Sequence, residues 1–173
     1  MDFSTWKSNA ERLLSQLKAI DFGYPLGENV VRESDLDSAF ADERRLSEAS
    51  IHELRSFYEV CDGISWPDVQ NGYFLKQRKE IGRTKDEYDP VRVTGATDYD
   101  IVVVGSSGTG TFFAIGNNGE VLSIPSGRIE KNTYFDKDGD IQVVASTLSD
   151  FAGLLVADLI AFVEDKPGHA YVS

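Results

Sequence analysis

Residues 54–75, Leu54-Arg55-Ser56-Phe57-Tyr58-Glu59-Val60-Cys61-Asp62-Gly63-Ile64-Ser65-Trp66-Pro67-Asp68-Val69-Gln70-Asn71-Gly72-Tyr73-Phe74-Leu75, decide how this chain is read. They read as the end of a helix, a glycine stop, a tryptophan-proline corner and an Asn-Gly turn into a strand. Just upstream, Ser50-Ile51-His52-Glu53 has the Ser-x-x-Glu spacing of a capping box. Ile51, Leu54, Phe57, Tyr58 and Cys61 then recur on one face at helical spacing. Gly63 suits the left-handed residue that closes a helix. Pro67 restricts Trp66 to extended or turn backbone. Asn71-Gly72 before Tyr73-Phe74-Leu75 predicts a turn that opens a strand. No residue in the stretch is an evident catalyst, so its information is architectural.

Upstream of this stretch, Phe3, Trp6, Ala10, Leu13, Leu14, Leu17 and Ile20 describe an amphipathic first helix, ended by Gly23, Pro25 and Gly27. Ser34 to Leu46 is expected to form a second helix, with Leu36, Phe40 and Leu46 inward. Downstream, Lys76 to Pro90 is charged and predicts an exposed connection with one helical turn. Ile101-Val102-Val103-Val104 is a β-branched run, which predicts a strand covered on both faces. Thr111 to Ile115 and Glu120 to Ile124 are strands joined at Asn117-Asn118-Gly119, a hairpin signal. Thr133-Tyr134-Phe135 and Ile141 to Val144 flank Asp136-Lys137-Asp138-Gly139-Asp140 and are expected to form a further hairpin. A last helix runs from Leu148 to Glu164, capped by Ser146 or Thr147 and stopped by Pro167-Gly168. N-terminal helices, a mostly antiparallel meander and a C-terminal helix make an α+β fold. One domain is expected over 1–173, with its core at about 46–164, a helical segment at 1–45 and a tail at 165–173.

The chain has 17 Lys and Arg against 29 Asp and Glu, a formal net charge of −12. Such a chain repels phosphate backbones and anionic membranes, which argues against nucleic-acid or membrane partners. It suits a basic partner, although solubility alone also explains acidity. Cys61 is the sole cysteine, so no internal disulfide forms, and its apolar face suits a buried small hydrophobe. Asp2 and the polar-apolar alternation that follows do not read as a signal peptide. Phe151 to Val163 is too short to span a bilayer. A soluble cytoplasmic protein is expected.

Motifs for chemistry fail at the residue each one needs. Val104-Gly105-Ser106-Ser107-Gly108-Thr109-Gly110 follows a strand, yet its glycine spacing is not that of a dinucleotide loop and a strand follows it. It lacks the lysine of a P-loop. Thr109 stands where a nucleophile elbow has glycine. The loop from Asp136 has Ile141 where a calcium loop has glycine, and Thr147 where it has glutamate. His52 and His169 have no spaced partners for a metal or a triad. No catalytic residue, metal or cofactor is expected.

With these residues in view, the chain resembles the SUKH superfamily. Phe57-Tyr58 with Asp62-Gly63 looks like its tyrosine–Asp-Gly segment, and Asn71-Gly72-Tyr73-Phe74 like its entry into the sheet. Val104 to Gly110 with Phe113-Ala114-Ile115 is similar to its glycine-rich turn and following strand. Val144-Ala145-Ser146 leading to Phe151 looks like the step into its last helix. The resemblance covers about Leu46 to Val163. Ala49-Ser50 stands where the family usually has Leu-Pro, and Ser107 where an acidic residue is frequent. For bacterial members the resemblance implies immunity proteins, which neutralise a cognate toxin of a polymorphic or contact-dependent system, often a nuclease. A scaffold or regulatory domain with a housekeeping partner is the alternative, and an enzyme has the least support.

On this reading the candidate partner-binding residues fall in three groups. Trp66, Asp68 and Tyr73 are expected together at one end of the sheet, near Ser106 and Ser107. Asp86, Glu87, Tyr88 and Asp89 form an acidic loop after Lys85. Asp98, Tyr99 and Asp100 form another. Aromatics beside carboxylates suit an interface with a basic protein, although for Trp66 a core position is favoured over an exposed anchor, because most tryptophans are largely buried.

Overall fold

The computed structural model describes residues 2–84, 86–95 and 98–166. Lys85, Pro167-Gly168 and His169 lie outside them. The first helix, α1, spans Phe3–Lys18 and is capped by Asp2, whose carboxylate accepts from the Thr5 amide at 2.9 Å. Strand β1 (Val30–Glu33) follows, then α2 (Glu48–Val60), β2 (Cys61–Trp66) and β3 (Tyr73–Leu75). A 3-10 turn at Arg78–Glu80 leads to β4 (Arg92–Thr94) and β5 (Tyr99–Asp100). Then come β6 (Val102–Ser107), β7 (Phe112–Ile115), β8 (Val121–Ile124), β9 (Ile129–Glu130), β10 (Thr133–Phe135), β11 (Gln142–Ala145) and α3 (Leu148–Val163). The fold is α+β.

Seven strands form one sheet in the order β1-β2-β3-β6-β7-β8-β11, and every neighbouring pair is antiparallel. This meander is interrupted twice, between β3 and β6 and between β8 and β11. The two excursions build a second sheet, β5-β4-β10-β9, joined by the parallel pair β4–β10. The helices cover one face of the large sheet and the small sheet packs on the other. Val102 and Val104 of β6 join the helical core, while Val103, with Ile101 just before the strand, joins the core beneath the small sheet. The β-branched run is therefore buried on both faces, because alternate side chains of a strand point to opposite sides.

The residues of the opening stretch converge on the exit from β3. The Tyr58 hydroxyl donates to the Lys76 carbonyl at 2.7 Å. Asp62, 4% exposed, accepts from the Arg78 amide at 2.7 Å and from the Gln77 side chain at 3.0 Å. Gly63 does not close a helix, because α2 already ends at Val60. It lies within β2 at φ +83°, where a Cβ would stand 2.5 Å from the Leu75 carbonyl oxygen. Its role is close backbone approach, and its conformation is one that side chains disfavour.

Three further expectations are corrected. Ser34 to Leu46 is not helical. Ser34 donates to the Tyr58 carbonyl, Ser38 bonds Asp35, and Asp42 accepts from its own Arg44, so short polar side chains hold a looped path instead. Leu36, expected inward, is 63% exposed. Second, Thr133–Phe135 and Gln142–Ala145 do not form a hairpin: β10 pairs with β4 and β9, and β11 pairs with β8 across the other sheet. Third, the α2 cap is Ser47, whose hydroxyl accepts from the Ser50 amide at 3.2 Å.

Glu53 is thereby released for a different task. Its carboxylate accepts from the amides of Leu148 and Ser149 at 3.0 and 3.2 Å, at the start of α3. Those amides have no partner within a helix, and a carboxylate there also meets the positive end of the helix dipole. Thr147 caps the same turn through the Asp150 amide. Trp6 completes the tie between the terminal helices by donating its indole N–H to the Ala152 carbonyl at 2.7 Å. Among the described residues, no helix is long and apolar enough to cross a membrane. Glu53→Ala is expected to lower stability by about 1–2 kcal/mol, the scale of a lost charge-assisted cap, read as a lower urea midpoint with unchanged slope.

Candidate functional site

Trp66, Tyr73 and Ser107 form a row across β2, β3 and β6, since Trp66 pairs with Tyr73 and Tyr73 with Ser107. The expected neighbourhood is present, but the row faces the helices. Trp66 and Tyr73 are both 0% exposed, so neither offers a side chain to a partner. Trp66 stacks on Trp6 with ring centroids 6.2 Å apart. The Tyr73 hydroxyl donates to the buried carboxylate of Asp158 on α3, and burial first, then that bond, holds its pKa well above the usual phenol value. Ser107 is buried and shares a hydrogen bond with the Thr109 hydroxyl at 2.7 Å. A turn residue can point either way from a sheet, and here the side chains at the ends of the strands are recruited to the core.

Asp68 is held in a reciprocal pair. The Asn29 side chain donates to its carboxylate at 2.5 Å, and its own amide donates back to Asn29 at 3.2 Å. Ser106 faces the opposite side of the sheet from Ser107 and is half-buried. It lines an open cleft of about 320 Å³ with Arg32, Phe74, Gln77, Asp89 and Phe112, on the part of the sheet that the second sheet leaves bare.

The acidic loops are at the surface. Asp86, Glu87 and Tyr88 are exposed, Tyr88 to 61%, and Asp89 is half-buried. The backbone beneath them is fixed by Asn132, a residue that the reading of the sequence passed over. Its side chain donates to the carbonyls of Asp86 and Asp89 at 2.5 and 2.8 Å, and its amide donates to that of Glu87 at 2.8 Å. Lys131 and Asn132 are the two residues between β9 and β10, with φ of +49° and +62°. Positive φ at both central residues is the signature of a tight hairpin turn, and asparagine there was the available signal.

Asp98 and Tyr99 belong to a second cleft, of about 440 Å³, at the end of the small sheet. Asn117, Asn118, Glu120, Leu122, Asp136, Ile141 and Val143 complete its lining. Asp98 accepts from the Thr94 hydroxyl at 2.6 Å and from Arg92 at 3.3 Å, which lowers its pKa. Arg92 also reaches Asp100 at 3.9 Å. Burial, then the carboxylates of Asp136 and Glu120, raises the Tyr99 hydroxyl. One Glu120 oxygen, Oε2, is buried without a hydrogen-bond partner.

Among the described residues, no group of three or more histidine, cysteine, aspartate or glutamate side chains could hold a metal. Cys61 is fully buried under α1, and burial pushes its thiol up to about 12. Comparison of the chain with protein-family models, curated proteins and solved structures finds no match. The Cys61 thiol is both held in its protonated form at pH 8 and shielded from solvent. A thiol reagent is therefore expected to leave the folded chain unmodified and to label one equivalent after denaturation. Labelling of the native protein at the rate of a free thiol would refute this.

Proposed function

We propose that this chain is a non-catalytic binding protein of the SUKH type, an immunity protein that occludes a basic toxin domain. The observation that carries this reading is the loop 86–89. It exposes Tyr88 between Asp86, Glu87 and Asp89 on backbone that Asn132 pins at three points. A pre-ordered aromatic loses little entropy on binding, and carboxylates around it attract a cationic surface. The net charge of −12 extends that attraction beyond the contact. The order of motifs from Tyr58 to Phe151 supports the family, and the α+β architecture is the class the resemblance implies. A toxin that attacks nucleic acid carries the basic surface this loop would meet. The proposal entails action in the cytoplasm, where such a toxin has its substrate.

The test is whether a toxin domain is encoded immediately upstream of this chain's gene and, for that domain, co-expression with this chain. Protection from that domain, with a stoichiometric complex on co-purification, is the expected outcome. Full toxicity, with no complex, would sink the proposal. Within such a complex, the on-rate should fall steeply with ionic strength and the off-rate much less. Replacing Asp86, Glu87 and Asp89 by their amides should slow association roughly threefold to tenfold at low salt. An on-rate indifferent to salt and to these substitutions would assign the acidity to solubility.

A further inference from the structure

We infer that the edge of β11, unpaired among the described residues, is a docking site for an extended, basic segment of a partner protein, added as an eighth strand beside the acidic cleft. The inference rests on the reading of a basic protein partner and adds a second contact beyond loop 86–89, with its mode. It starts from how the four sheet edges are finished. Native edge strands are blunted by charge, proline, a β-bulge or extreme shortness, because their unpaired amides and carbonyls otherwise recruit another strand. Strand β1 carries Arg32 and Glu33, and β5 and β9 are two residues long and carry Asp100 and Glu130. Strand β11 ends the large sheet with Gln142-Val143-Val144-Ala145, which has no charge, no proline and two β-branched residues. Val143 is 65% exposed.

Both faces of this edge offer space for alternating side chains. Val143 and Ile141 line the 440 Å³ cleft on one side. Val144 and Ala145 line another opening with Ser149, Asp150, Gly153 and Leu154, along the flank of α3. Strand addition draws affinity from backbone bonds and specificity from such alternate pockets. The register of β11 on β8 shifts between Val143 and Ala145, a bulge that blunts the α3 end of this edge and confines regular pairing to Gln142-Val143, the uncharged part beside the cleft.

Charge identifies the occupant. The cleft holds the carboxylates of Asp98, Glu120 and Asp136, and Glu120 Oε2 is buried without a partner. A lysine or arginine projecting from an added strand toward this face would supply it. A second copy of this chain would not: its β11 has no cation to offer, and two chains at −12 repel.

The test uses the full chain and a capped eight-residue peptide alternating valine with arginine. Comparators are its scrambled isomer, a valine-glutamate peptide and a version N-methylated at alternate amides. The expected result is binding of the valine-arginine peptide alone, with slowed hydrogen exchange of amides in 142–145. Val143→Lys, which sets a charge on an exposed position of the edge, should weaken binding about tenfold or more at unchanged melting temperature, and Glu120→Gln about threefold or more. No binding, or binding indifferent to N-methylation and Val143→Lys, overturns the inference. Equal binding of the scrambled peptide, lost on amidating Asp86, Glu87 and Asp89, also overturns it but leaves the basic-partner reading standing. A concentration-dependent dimer abolished by Val143→Lys would give the edge to a second copy and overturn it too. Peptide docking at β11 alongside failure to protect from the toxin would overturn the immunity reading alone.

Discussion

The double burial of β6 is the constraint on which the rest of the molecule depends. Val102 and Val104 need a helical layer above them, and Ile101 and Val103 need a second layer below. A sheet solvated on one face would leave half of this run in water, at a cost of about 1.5–3 kcal/mol for each large aliphatic side chain. The meander cannot supply the lower layer by itself. The two excursions do, and the first of them, between β3 and β6, also carries both acidic loops. The surface chemistry of this protein is thus carried by segments whose first duty is to roof the central strand.

The helical layer is tied with equal economy. Phe3, Trp6 and Phe57 pack edge-on or tilted at centroid distances of 5.4 and 5.5 Å, and Trp6 lies against Trp66. Glu53 reaches from α2 to the first amides of α3, and Trp6 reaches from α1 to its backbone. Tyr73 and Asp158 join the sheet to the same helix through a buried bond. A carboxylate buried to 0% exposure is tolerable only with such partners, so this contact fixes how α3 sits on the sheet.

Much of this was legible where local chemistry decides the outcome. Asn117-Asn118-Gly119 predicted its hairpin and the β-branched run its double burial, and of the two caps offered for the last helix, Ser146 or Thr147, the second holds it. The failures share a cause. Ser34 to Leu46 has helical spacing, but Ser34, Ser38 and Asp42 find partners that favour loops, and only tertiary context shows them. Ser50-x-x-Glu53 fits a capping box, yet Ser47 takes the cap and Glu53 serves another helix. The spacing of β10 and β11 suggested a hairpin because proximity in sequence is the usual guide to pairing. The surface candidates divide likewise: charge runs located the acidic loops and the bulk of Trp66 favoured the core it occupies, while a turn position could not tell that Tyr73 points inward.

The parallel pair β4–β10 has a consequence for the order of assembly. Residues 92–94 meet residues 133–135 only after the chain between them has folded back twice through β6, β7 and β8. Closing so distant a contact costs chain entropy that the intervening hairpins must first reduce. The small sheet is then expected to close late in folding. Asn132, donated by one excursion to the carbonyls of the other, joins the loop to this late step. Refolding would therefore restore the core before it restores the geometry of loop 86–89, and a chain could regain its helices and central strands while its acidic loop still lacked a defined shape.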